Sequence, residues 1–157
     1  MQGSYLILGA IALAALAALR HRLPWLGTVS RVVDGDSLEA IHFGRVQQIR
    51  LCGIDAPEWR QPYGREAQHQ LATLIEHRVV LFIPGGKDRY DRRVCHVIIG
   101  WRCASCWMAY NGHAWGLRAL PSFLTLIPRI RRKGLWAGQR PVEPRIWRLS
   151  SKRFPSR

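Results

Sequence analysis

The chain has few acids. Its 157 residues carry 10 Asp and Glu against 24 Lys and Arg, a formal net charge of +14. Such an imbalance calls for a polyanionic partner, nucleic acid or an anionic membrane surface. Lysine is nearly absent as well: Lys87, Lys133 and Lys152 are the three, and the other 21 cations are Arg. A planar guanidinium suits bidentate contacts to phosphate better than a point charge does. Gly and Pro occur 14 and 9 times without a repeating pattern, which excludes a collagen-like or repeat array. Four cysteines include one Cys-x-x-Cys (Cys103, Cys106), whereas a structural zinc site needs two spaced pairs. Buried thiols are the simpler expectation, since Cys52 and Cys95 fall in or beside strand-like runs. The length excludes a second large domain, and 48% hydrophobic residues exclude a wholly disordered chain.

No apolar run is long enough to cross a bilayer comfortably. Residues 5–19 are uncharged and apolar, which gives a helix of about 22 Å at about 1.5 Å per residue, short of a hydrocarbon core of ~30 Å. That length fits a signal-peptide core, and Ala15-Leu16-Ala17 offers a small-x-small cleavage pattern, but no Lys or Arg precedes the run. Arg20-His21-Arg22 follows it and suits the flank of a marginal, uncleaved anchor. Residues 1–22 are therefore expected to be a signal peptide or a membrane anchor, and the protein to be membrane-associated or exported. At the other end, residues 129–157 hold ten basic groups and one acid, Glu143. With no core-forming period, residues 139–157 read as an extended basic tail.

Between these ends the pattern is that of short strands. Residues 28–33, 37–43 and 46–51 alternate as strands, with Asp34-Gly35-Asp36 turning between the first two. Residues 64–77 place Ala67, Leu71, Leu74 and Ile75 on one helical face. Residues 79–83 and 94–99 read as two more strands joined by a Pro-Gly-Gly turn and a charged loop. Helices are expected over 104–111, ended by Gly112, and over 123–132, kinked or split at Pro128. Five strands with intervening helices predict a mainly β, α+β domain over residues 23–138, a small barrel rather than a parallel sheet.

The scarce acids are clustered: Asp34, Asp36, Glu39, Asp55, Glu58 and Glu66 fall within 33 residues. Two Asp side chains from neighbouring turns plus a backbone carbonyl make a hard oxygen site suited to Ca²⁺. Arg50 precedes Asp55 and Glu58 around one strand end. In Asp88-Arg89-Tyr90-Asp91-Arg92-Arg93, one cation is ordered by Asp88 while another is left for substrate. A cation and two guanidinium groups are a sufficient electrostatic set for phosphodiester hydrolysis, with a Glu as general base. Trp59 and Trp115 are candidates to stack on a base.

Taken together, Val32 to Ser37, Ile49 to Glu58, Gln61 with Tyr63 to Ala67, Asp88 to Arg92 and Gly134 to Trp136 follow one order and spacing. The pattern resembles the thermonuclease family, the staphylococcal-nuclease-like domains. The resemblance implies an OB-fold-like five-stranded barrel with about three helices. It also implies a Ca²⁺-dependent nuclease acting on DNA or RNA and leaving 3′-phosphate and 5′-hydroxyl ends. By the same resemblance Asp36, Asp55 and the Ala56 carbonyl hold the metal, and Arg50, Glu58 and Arg92 are the catalytic set. Asp34 stands behind the metal ligands, and Tyr90 and Arg89 contact substrate. Asp91 departs from the family's usual Gly, directly before Arg92. A left-handed conformation there is open to Asp, and its charge stands to draw Arg92 from phosphate. That departure favours the alternative reading, a nucleic-acid-binding barrel with weakened catalysis tethered to a membrane through residues 5–19.

Overall fold

The computed structural model describes residues 22–153 apart from 119 and 139, with no side-chain placement from 151 onward. The apolar run at 5–19 lies outside the described residues. Among the described residues no helix is long and apolar enough to cross a membrane.

Five long strands form a closed barrel. They are β1 (Trp25–Val32), β2 (Ser37–His42), β3 (Arg45–Leu51), β5 (Val79–Lys87) and β6 (Arg93–Ile99). The order is β3-β2-β1-β5-β6, antiparallel throughout, and a parallel pairing of β3 with β6 closes it. Short pieces complete the strands: β4 (Ile54–Asp55) pairs with β8 (Trp115–Gly116), and β7 (Arg102–Cys103) adds to β6. Alternation along the strands sends Val29, Leu38, Ile49, Leu51, Val80, Phe82 and Val97 inward, all fully or almost fully buried. Each such side chain is worth roughly 1.5–3 kcal/mol of transfer from water. Trp25 stacks on Phe82, with ring centroids 4.1 Å apart, at the start of the barrel.

Four α-helices are described: α1 (Gly64–Ile75), α2 (Ala104–Tyr110), α3 (Phe123–Ile130) and α4 (Pro144–Arg153). A single 3₁₀ turn covers Gly134–Trp136. The expected apolar face of α1 is the buried one, Ala67, Leu71, Leu74 and Ile75. Pro128 lies inside α3 without splitting it. A proline there has no N–H to give the Leu124 carbonyl, and the helix ends two residues later.

Two expectations change. Pro84-Gly85-Gly86 is not a turn but part of β5, where the register with β6 shifts between Pro84 and Gly86. A bulge accommodates the proline, which has no N–H for the ladder, and the reversal falls at Asp88–Arg92 instead, where the Asp88 N–H donates to the Arg92 carbonyl at 3.0 Å. Residues 144–153 are not extended but helical, with Pro144 in the first turn, where its fixed φ costs no intrahelical bond. The apolar residues Ile146 and Leu149 of α4 are exposed, and an arginine, Arg148, ties the helix to the acids of the barrel.

Candidate active site

The site forms where β3 runs alongside β6. The β2–β3 register sets Ser37 opposite Arg50, and the β3–β6 register sets Arg50 beside Val94, two residues beyond Arg92. The Asp34-Gly35-Asp36 turn reaches the same corner, and the end of β4 and the loop after it bring Asp55, Ala56 and Glu58 to it. Gly35 makes this approach possible: a Cβ there would lie 2.6 Å from the Ala56 Cβ and 2.9 Å from the Ala67 Cβ. Gly64 plays the same part at the head of α1, where a Cβ would fall 2.0 Å from the Glu58 carbonyl oxygen.

Asp36 is 3% exposed and heavily bonded. Its Oδ1 accepts from Ser37 Oγ and Arg50 Nη1, each at 2.9 Å, and its Oδ2 accepts from the Ala56 N–H at 2.9 Å. Asp34 Oδ1 in turn accepts the Asp36 N–H at 2.9 Å, the bond that shapes the turn. Burial, and then the charge of Asp34, pushes the Asp36 carboxyl up to about 7, against the pull of Arg50. Arg50 Nη2 lies 2.9 Å from Asp36 Oδ2 and 2.7 Å from Asp55 Oδ1. The two carboxylates therefore converge on one positively charged point.

Arg92 approaches from the other wall. Asp88 Oδ2 accepts from its Nε at 2.8 Å, and Ser37 Oγ accepts from its Nη1 at 3.1 Å. Burial alone would raise the Asp88 carboxyl, but bonds from the Tyr90 N–H and from Arg92 outweigh it and hold the group below its ordinary value. The exposed Tyr90 ring carries the Arg89 guanidinium 4.8 Å from its centroid and that of Arg92 5.5 Å away. A cleft of about 640 Å³ gathers these groups, lined by Asp34, Arg50, Glu58, Tyr90 and Arg92, with Gln48, Asp88, Arg89 and Arg148.

The residues singled out from the sequence are thus brought to one place: Asp34, Arg50, Glu58, Arg89, Tyr90 and Arg92 on the cleft, Asp36 and Asp55 bonded to Arg50 behind it. Asp91 has a left-handed φ of 63°, one of the few non-glycine positions with such a value. Its carboxylate does not draw Arg92 away. It pairs with Lys87 at 2.6 Å on the surface, leaving Arg92 to Asp88 and Ser37. Trp59 is 47% exposed, but Trp115 is buried edge-on against Trp136 and presents no face to a base. All four cysteines are free thiols: Cys95 is buried and the other three are half-buried. Among the described residues no three His, Cys, Asp or Glu side chains form a metal-holding group.

Two site residues escaped the sequence reading. Ser37 links Asp36 to Arg92 through one hydroxyl, and its place directly after Asp36 in the motif was the available signal. Arg148 carries no such signal. It lies 90 positions from Glu58 within an Arg-rich stretch, yet its guanidinium bonds both Glu58 and Asp55.

A family model described as staphylococcal nuclease homologue matches residues 48–138. The chain belongs to this family. The chain is 36% identical over 160 residues to Protein ParB of Escherichia coli, covering 89% of this chain and 90% of that one. It is 32% identical over 130 residues to an uncharacterized endonuclease of Haemophilus influenzae, covering 79% and 73%. A staphylococcal-like nuclease of Arabidopsis thaliana is 33% identical over 110 residues, 67% of this chain and 34% of the plant protein. The matched segment holds Arg50, Asp55, Glu58 and Arg92, whereas Asp36 precedes it and Arg148 follows it.

Proposed function

We propose that this protein hydrolyses phosphodiester bonds of DNA or RNA with Ca²⁺ and leaves 3′-phosphate and 5′-hydroxyl ends. One observation carries the reading: Arg50, Arg92 and Glu58 face one cleft, with Asp36 and Asp55 converging behind Arg50. The donor set suits a hard cation, since two carboxylate oxygens lie within bonding distance of a single nitrogen that already carries positive charge. Asp36, Asp55 and the Ala56 carbonyl would hold Ca²⁺, which supplies positive charge beside the phosphate.

The chain's own groups do the rest. Guanidinium groups of Arg50 and Arg92 bind the equatorial phosphate oxygens, where negative charge builds in the transition state. Asp88 and Ser37 hold Arg92 in place for that contact. Glu58 accepts the proton of the attacking water as its oxygen bonds to phosphorus, the bond to the 5′ oxygen breaks, and that oxygen takes a proton from solvent to leave as the 5′-hydroxyl. Tyr90, flanked by Arg89, offers a ring face to the adjoining nucleotide.

Cleavage of labelled single-stranded DNA and RNA by the full chain, with Ca²⁺ or with EGTA, tests this. Cutting should require Ca²⁺, fall about 10²–10⁴-fold in Glu58→Gln and about 10²–10³-fold in Arg92→Ala. Asp91→Gly should cut within about 2-fold of wild type, because Asp91 faces Lys87 rather than Arg92. Binding without cutting in any divalent metal would reject the nuclease.

We propose further that residues 5–19 direct the chain to the membrane or out of the cytoplasm. The uncharged run and the Arg20-His21-Arg22 flank support this. Recovery of the intact chain, Met1 included, only in the soluble cytoplasmic fraction would rule it out.

A further inference from the structure

Helix α4 begins after the matched family segment ends, and it meets the barrel at the loop that carries the site acids. Two of its contacts with the barrel fall on the Glu58 loop. Gln61 is 5% exposed; its Nε2 donates to the Val142 carbonyl just ahead of α4, while its Oε1 accepts the Glu58 N–H at 3.2 Å. Arg148, one side of the guanidinium still open to the cleft, donates from Nη1 to Glu58 Oε1 and from Nη2 to Asp55 Oδ2 at 3.1 Å.

The division of Asp55 is the informative part. Arg50 takes Oδ1, the oxygen on the side of Asp36, at 2.7 Å, whereas the best bond of Arg148 goes to Oδ2 and its distance to Oδ1 is 3.4 Å. Arg148 reaches both Asp55 oxygens, Oδ2 at 3.1 Å and Oδ1 at 3.4 Å, and spans to Glu58, so both acids are held by one rigid fork. Glu58 is otherwise a carboxylate on three rotatable bonds at the cleft edge, and a general base must be placed to within hydrogen-bond reach of its water.

We propose that Arg148 is a positioning residue of this site: its guanidinium bridges Asp55 and Glu58 and fixes the base relative to the carboxylate beside it. The inference rests on the nuclease reading above. It makes α4 part of the catalytic domain rather than an appended basic tail.

Steady-state cutting of single-stranded DNA by the full chain tests it, together with amide hydrogen exchange over residues 142–150. Loss of an outer partner of this kind costs about 10–100-fold in activity, so Arg148→Ala should lower kcat by that factor with KM nearly unchanged. Arg148→Lys should recover part, since an ammonium restores charge but not the two-acid fork. Leu149→Ala, an exposed position on the same helix, should match wild type. Exchange in 142–150 should speed up in both Arg148→Ala and Glu58→Gln and stay unchanged in Leu149→Ala.

Wild-type kcat in Arg148→Ala overturns the inference and leaves the nuclease standing. So does a raised kcat, which would mark a plug, or a raised KM at constant kcat, which would mark a substrate contact. Unchanged exchange in both bridge variants overturns it as well, whatever the activity. A wild-type chain that never cuts overturns the nuclease reading, and the positioning role with it.

Discussion

His113 shows what a single buried ring does for this barrel. It is 8% exposed, its Nδ1 shares a 2.9 Å hydrogen bond with Tyr63 Oη, and it packs between Tyr63 and Trp107. Tyr63 precedes α1, so the bond ties the end of the Glu58 loop to the end of α2. Burial, and then the charge of Lys133, pushes the imidazole down to about 4. The unfolded chain binds a proton near pH 6.5 that the folded chain refuses until about pH 4. Stability from this group is therefore complete above 6.5 and lost as pH falls toward 4, by up to about 3 kcal/mol. Asp36 acts with the opposite sign: its raised carboxyl favours folding below the ordinary carboxylate range and less so as pH rises through about 7. The two effects overlap, so the readout is the difference between wild type and His113→Gln. Urea unfolding at pH 7 and pH 4.5 should show wild type losing more stability than the variant on acidification. Parallel losses would mean that His113 is not held neutral in the folded state.

At the scale of elements, the turn at 34–36 and the loop at 55–58 form one unit because Gly35 lets them touch. Gly35→Ala puts a methyl into the Cβ atoms of Ala56 and Ala67, both in the buried core, so the turn has to move away from the Asp55 loop. Overpacking of this kind costs roughly 1–3 kcal/mol. Because Asp36 and Asp55 ride on the two segments, the Ca²⁺ affinity and cutting proposed above should both fall by about tenfold or more. Calorimetric Ca²⁺ titration of the full chain checks it, and a wild-type affinity would show that the two segments are not coupled through this contact.

The same elements show what could be read from the sequence. Strands β1, β2, β3 and β6 were legible because their apolar residues alternate, and α1 because its buried face repeats at helical spacing. The grouping of Asp36, Arg50, Asp55, Glu58 and Arg92 was legible through motif order, since these residues sit at strand ends whose pairing fixes their distances. The β5 bulge was hidden because Pro-Gly-Gly is turn chemistry that here serves a ladder defect. Helix α4 was hidden for a different reason: it is tied to the site acids by a guanidinium, and such a contact leaves no period in a sequence.

Across the whole molecule, positive charge and the cleft are arranged for a long anion. Arg148 is committed to Asp55 and Glu58, but Arg131, Arg132, Arg140 and Arg145 remain exposed around α3 and α4. The basic C-terminal stretch therefore divides into one arginine that serves the acids of the site and others open to a nucleic-acid backbone. Removing the whole stretch would confuse these roles, whereas replacing those four arginines by Ala keeps Arg148 and α4 in place. Each phosphate contact contributes about 0.7 to the slope of log affinity against log salt for a single strand and about 0.9 for a duplex. If all four reach phosphate, the slope should shrink by about 3, with affinity lost at low salt and nearly equal to wild type at high salt. The kcat should stay close to wild type, because none of the four touches Asp36, Asp55 or Glu58. Binding titrations in EGTA, with and without the four changes, read this directly and leave the Arg148–Glu58 bridge intact. An unchanged slope would confine nucleic-acid contact to the cleft itself and leave the surplus positive charge without a part in substrate capture.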